Sequence, residues 1–336
     1  MGVTVEEREL GSEGAGGDGR RRRRWLALPT LVGAVVGIAC VTFVVMALTS
    51  QWSEVRDEVA DASLGWLALG LLLAAGGMAW MAWCWRDVLD VLGHRPPRGR
   101  TVAWYFAGEI GKYVPGGVWT VVGRAELARR GGVPAGRSYS SVGLSLVALY
   151  LSDLVLAAVL VPLGLAGLSG DSQTESPVAL ALLLILPLGL LALHPAMLER
   201  ARGLLVRFTG RGADLPIPTW GATVGLVLRY LPAWVLIWLS TWCVARALLP
   251  DPSLLRVGIA ATLSWAAGFV AVPVPAGAGV REAVFVAAAG MPAGVAATVA
   301  VASRLLFLLV DVGGAVVTAP LHRRRGTSDV PSARDT

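Results

Sequence analysis

The sequence predicts an all-α, polytopic membrane helix bundle. It has about six full spans plus two re-entrant broken helices, or alternatively eight spans, arranged as an inverted repeat. Three observations carry this expectation. Hydrophobic residues make up 55% of the 336 residues and charged residues only 15%, against roughly 25% charged in a soluble domain. Several apolar windows reach about 20 residues, long enough to cross a hydrocarbon core about 30 Å thick. Two further apolar segments are interrupted at their middle by Pro–Gly clusters and carry charges beside them.

Taken in order, residues 1–24 are polar and Gly-rich, end in Arg20 to Arg24, and read as a disordered cytoplasmic tail. The apolar stretch that follows runs from Leu26 to Leu48, longer than a secretory core of about 7–15 residues, so it reads as a retained span. The spans are expected at 26–49, 64–84, 139–165, 177–195, 220–246 and 294–320. The membrane domain is 25–320, with halves at 25–165 and 177–320, and 321–336 is a second disordered tail. The broken segments are 101–123, TVAWYFAGEIGKYVPGGVWTVVG, and 257–290, ending in AVPVPAGAGVREAVFVAAAG. A helix broken at membrane depth must have its freed backbone groups covered by protein or water.

The arginines set the orientation, because cytoplasmic loops are rich in them. Arg20 to Arg24 and Arg323 to Arg325 put both termini inside. Glu54, Asp57, Glu58 and Asp61 mark the first loop as outside, and Arg86, Arg95, Arg98 and Arg100 mark the second as inside. Arg124, Arg129, Arg130 and Arg137 return the first broken segment to the cytoplasmic side, so it reads as a re-entrant hairpin. Arg200, Arg202, Arg207 and Arg211 make 196–219 a cytoplasmic loop. The segment 257–290 then dips in from outside, or else forms two full spans. The net charge of +6 therefore argues for orientation and anionic lipid, not for nucleic acid.

At an offset of 158, Val114-Pro115 meets Val272-Pro273, Pro134-Ala135-Gly136 meets Pro292-Ala293-Gly294, Ser145 meets Ser303 and Asp153 meets Asp311. Each copy has a Pro–Gly break, then an Arg and a Glu (Arg124 and Glu126, Arg281 and Glu282), then a span with an Asp. Inverted repeats of broken helices are the architecture of alternating-access transporters.

An ionisable group at the centre of a span costs at least about 2.5–3.5 kcal/mol. The charges to explain are Glu109, Lys112, Asp153, Arg229, Arg281, Glu282, Arg304 and Asp311, and Lys112 is the only lysine. Glu109 and Lys112 lie three apart, and Arg304 and Asp311 seven apart, so each pair shares a helix face. Two readings stand. Each pair neutralises itself as a structural ion pair, or Lys112, Arg124, Arg281 and Arg304 meet an anionic headgroup in a polar cavity. In the second reading Glu109, Asp153, Glu282 and Asp311 orient the cations or carry protons. The turns formed by Pro115, Gly116, Gly117, Pro275, Gly277 and Gly279 would let backbone N–H groups of their non-proline residues approach the same oxygens. Arg229 is expected to snorkel to the cytoplasmic interface.

Other features read more simply. Cys40, Cys84 and Cys243 are small buried hydrophobes, and His94, His194 and His322 form no metal or catalytic cluster. Trp234, Trp238 and Trp242 are a packing or lipid-facing stripe, whereas Trp25, Trp52, Trp66, Trp85, Trp104 and Trp220 form an interfacial belt.

The run GEIGKYVPGGVWTVVGRAEL, Gly108 to Leu127, resembles the first signature of the lysylphosphatidylglycerol synthase transmembrane (flippase-like) family. The run VPVPAGAGVREAVF, Val272 to Phe285, resembles the second, with Ala276 and Ala278 at positions where glycine is usual. The Arg304 to Asp311 region resembles the last span, and the likeness covers most of 26–320. The matched polar positions are Glu109, Lys112, Arg124, Arg281, Glu282, Arg304 and Asp311. In two-domain members the membrane part moves an aminoacylated phospholipid, and a soluble domain makes it. The longest loop here, about 196–219, is too short for that domain. The resemblance therefore implies a standalone transporter rather than an enzyme, without cofactor or metal. Its partners would be membrane lipids with an anionic headgroup, from a phospholipid or a polyprenyl-phosphate carrier, in a bacterial inner membrane. A small-anion transporter and a non-transporting partner of a lipid-modifying enzyme are the alternatives.

Overall fold

The computed structural model describes residues 62–114, 118–168, 187–209, 215–270 and 279–323. The expected span 26–49, most of 177–195, and both tails lie outside these residues. Among the described residues, the main helices are α1 (Leu64–Val91), α2 (Arg98–Glu109), α3 (Trp119–Arg130), α4 (Ala135–Leu168), α5 (Pro195–Thr209), α6 (Trp220–Leu248), α7 (Leu254–Val270), α8 (Val280–Ala288) and α9 (Ala293–Arg323), and residues 187–192 are also helical. A 3-10 turn, Ile110–Tyr113, extends α2.

Four helices, α1, α4, α6 and α9, are long and apolar enough to cross a membrane. They coincide with the expected spans 64–84, 139–165, 220–246 and 294–320 but run past the apolar windows. Backbone hydrogen bonding continues through polar residues at the ends, which composition does not register. Thr219 opens α6 by accepting a hydrogen bond from the Ala222 N–H at 3.3 Å, a normal N-cap. Gly132, at φ +101°, closes α3 with the left-handed turn that other residues avoid.

The span helices pack through small residues. On α1, a Cβ at Gly70 would lie 3.2 Å from the Ser240 carbonyl of α6, and one at Gly77 would lie 3.1 Å from that of Ala233. The two glycines are two turns apart, so they form one smooth groove in which α6 lies. Ser240 Oγ donates to the Gly70 carbonyl at 2.8 Å across this contact.

Each broken segment is a helical hairpin. In the first, Gly111 sits against the backbone of Trp119 and Thr120, and Gly108 against Arg124. In the second, Gly268 lies against the Arg281 side chain, and Ser264 Oγ donates to the Arg281 carbonyl at 2.9 Å. With 9 residues, α8 is about 14 Å long, well short of a hydrocarbon core.

The helix order recurs along the chain: long helix, two hairpin arms, long helix. Shifted by 158, the starts of α1, α2, α3 and α4 fall within three residues of those of α6, α7, α8 and α9. Each hairpin packs on the long helix of the other half. Gly314 of α9 lies against the Phe106 ring of α2, and Tyr150 of α4 stacks on Phe269 of α7 at 3.7 Å.

Two readings of the sequence are corrected. Trp85 and Trp104 are core residues, 0% and 4% exposed, not members of an interfacial belt. Trp85 Nε1 finds an acceptor in Ser141 Oγ at 3.1 Å, and Trp104 fills the space beside Gly131. The stretch read as the loop 196–219 contains α5, where Met197, Leu198, Ala201 and Leu204 recur at helical spacing. Arg229, expected to snorkel, is exposed and pairs with Asp87 at 2.5 Å.

Candidate functional site

The charges sort into two clusters joined by α9. The first forms where the first hairpin meets α9. The 3-10 turn carries Lys112 away from the α2 axis and toward Asp311. Lys112 Nζ lies 2.6 Å from Asp311 Oδ2 and 3.2 Å from Glu109 Oε2. The Tyr113 hydroxyl donates to the same Asp311 oxygen at 2.6 Å. Arg124, from α3, places its guanidinium 3.3 Å from the other Glu109 oxygen. It also packs over the rings of Tyr105 and Trp85, 4.6 Å and 5.5 Å from their centroids. Glu109, Arg124 and Asp311 are all buried. Two cations face two carboxylates, so this cluster is electrically balanced. Its contacts bind the hairpin tip to α9.

The second cluster lies between α7, α8 and α9. Gly279, at φ +83°, starts α8, and its N–H donates to Glu282 Oε2 at 2.6 Å. The other Glu282 oxygen accepts from Arg304 Nη1. Arg281 lies flat on Trp265, 3.7 Å from the ring centroid. No carboxylate pairs with Arg281 among the described residues. This cluster therefore holds two guanidiniums and one carboxylate. Beside it is a narrow cavity of about 20 Å³, lined among others by Ser264, Trp265, Arg281, Glu282, Ser303 and Arg304, room for about one water molecule. Ser303 Oγ is buried there and unpartnered among the described residues.

Spacing alone offers two same-face pairs. Glu109 and Lys112 do meet. Arg304 and Asp311 do not pair with one another: Arg304 turns to Glu282 and Asp311 to Lys112. Asp153 is fully buried on α4, and neither of its oxygens has a hydrogen-bond partner among the described residues. Glu126, the expected counterpart of Glu282, instead closes a local pair at the end of α3. Hydrogen bonds from Arg129 and Arg130 hold its carboxyl down at about 2. Pro115, Gly116, Gly117, Pro275 and Gly277 lie outside the described residues. Tyr113 and Trp265 complete the two clusters, and sequence reasoning missed both. Tyr113 sits next to Lys112 inside the first signature run, which was the available signal. Trp265 had none, because it reaches Arg281 only through the hairpin fold.

Buried charge inside a helical bundle with four helices long and apolar enough to cross a membrane defines a polytopic membrane-protein fold. The chain belongs to the lysylphosphatidylglycerol synthase transmembrane family: the family model for the lysylphosphatidylglycerol synthase TM region matches residues 30–317. No curated protein matches the chain. Family membership makes this a membrane protein linked to lipid handling.

Proposed function

We propose that this chain moves an anionic lipid between the leaflets of a bacterial inner membrane, and acts as a transporter rather than an enzyme. The headgroup, from a phospholipid or a polyprenyl-phosphate carrier, passes between the two hairpins while the acyl chains stay in lipid. The observation that carries this reading is Arg281. Its guanidinium lies on Trp265 beside a narrow cavity, and the one carboxylate that lines the cavity, Glu282, pairs with Arg304 rather than with Arg281. An arginine in that setting is a donor for phosphate oxygens, because its planar fork can give two parallel hydrogen bonds.

The re-entrant, inverted arrangement belongs to the same proposal. The short α8 favours a hairpin over two full spans. The recurring helix order and the crossed packing of each hairpin on the other half favour a pseudo-two-fold relation. With both termini cytoplasmic, the hairpins open to opposite sides, which is what alternating access through one site uses.

The test is a leaflet-resolved assay in proteoliposomes with fluorescent phosphatidylglycerol and a polyprenyl phosphate. Translocation by the wild type, lost in Arg281→Ala, is expected. Failure to accelerate any anionic lipid sinks the reading. Uptake of soluble phosphate instead would make the protein a small-anion transporter. Full translocation in both Arg281→Ala and Arg304→Ala would show that neither arginine receives the headgroup, and a wild type that moves neither lipid nor soluble anion would be a non-transporting partner.

A further inference from the structure

We propose that Asp153 is the alternate counter-ion of Arg281. It competes with a bound anion for the guanidinium and thereby promotes release. The inference rests on the reading of Arg281 as the headgroup site.

The starting point is a carboxylate without a partner. Asp153 is 0% exposed and neither oxygen accepts a hydrogen bond among the described residues. Buried charge in that state is costly unless a partner is at hand. The matching residue in the other half, Asp311, holds Lys112 and Tyr113. At the same offset, the residues matching Lys112 and Tyr113 are Val270 and Ala271. Neither offers a donor or a charge, so the second hairpin cannot satisfy Asp153 as the first satisfies Asp311.

Arg281 is the cation on the hairpin that packs on α4. Tyr150, one turn before Asp153 on α4, stacks on Phe269 of α7 at 3.7 Å. The neighbouring Gly268 lies directly against the Arg281 side chain, which rests on Trp265. Asp153 and Arg281 therefore both sit against α7, Asp153 through its neighbour Tyr150 on Phe269 and Arg281 through Gly268 and Trp265. Arg281 is also open to exchange. Its Nε is buried and unbonded among the described residues, and the adjacent Glu282 is occupied by Arg304 and the Gly279 N–H. With an anion bound, the guanidinium serves the anion. When the anion leaves, the guanidinium turns to Asp153, so the empty site does not strand two opposite charges. Asp153 is thus a positioning residue that lowers anion affinity and speeds turnover.

The test uses the full chain in phosphatidylcholine nanodiscs, titrated with fluorescent phosphatidylglycerol, with soluble glycerol phosphate as a competitor. Asp153→Asn is expected to bind the lipid several-fold more tightly and to translocate it more slowly in proteoliposomes. A merely structural role would weaken both. Binding equal to or weaker than the wild type overturns the proposal. Competition by glycerol phosphate means the phosphate ester is what is read, and its absence means the lipid as a whole is. A second measurement needs no lipid. Arg281→Gln is expected to lower the unfolding temperature markedly when made alone, and much less when made on top of Asp153→Asn. Additive shifts overturn the pairing whatever the lipid result. A wild type that neither binds nor moves phosphatidylglycerol sinks the headgroup reading instead, and the thermal cycle still decides whether the pair exists.

Discussion

Lys112 stands between two carboxylates, and Asp311 accepts from both Lys112 and Tyr113. Removing one member of a buried ion pair leaves its partner's charge uncompensated, at a cost of about 3–5 kcal/mol. Lys112→Met is therefore expected to lower thermal stability by that order in a detergent unfolding assay. Adding Asp311→Asn should recover part of the loss, and an unchanged melting curve for Lys112→Met would count against a structural role for the pair. Tyr113→Phe removes a single hydrogen bond to a carboxylate, worth roughly 1.5–3 kcal/mol. Its effect should be smaller and should nearly vanish in the Asp311→Asn background. The individual charges were legible in the sequence, because an ionisable residue in an apolar run stands out. Their pairing was not. Spacing shows only that Arg304 and Asp311 share a face of α9; the hairpins that face them decide which partner each finds.

The first hairpin closes only because particular positions carry no side chain. At Gly111 a Cβ would lie 2.6–2.8 Å from the backbone of Trp119 and Thr120, and backbone cannot rotate away as a side chain can. Gly111→Ala is thus expected to force the two arms apart, destabilise the protein by about 1–3 kcal/mol and abolish transport. Gly143→Ala, where nothing lies within 4 Å, is the matched control and should be nearly silent in both assays. The long helices were legible from length and hydropathy alone. The Gly70–Gly77 groove on α1 was not, since glycines are abundant here and only the partner helix tells a packing glycine from an idle one. Trp85 and Trp104 show the same limit: a tryptophan near the end of an apolar run suits an interface and a core equally well until its N–H partner is known.

At the scale of the molecule, one balanced cluster anchors a hairpin to α9, and the other holds two guanidiniums and one carboxylate beside a narrow cavity. The proposed transport reading places the anionic group at that second cluster. The inverted orientation is tested by cysteine accessibility in a cysteine-free background. Reagent is expected to reach a cysteine at Gly117 only from the cytoplasm and one at Gly277 only from outside. Labelling of both from one side would contradict opposed hairpins. The most direct test of the central claim is the rate of fluorescent phosphatidylglycerol movement between leaflets of proteoliposomes, wild type against Arg281→Ala. The account predicts wild-type translocation well above that of protein-free vesicles and a return to the protein-free rate in Arg281→Ala. Equal, fast translocation by both proteins would contradict it.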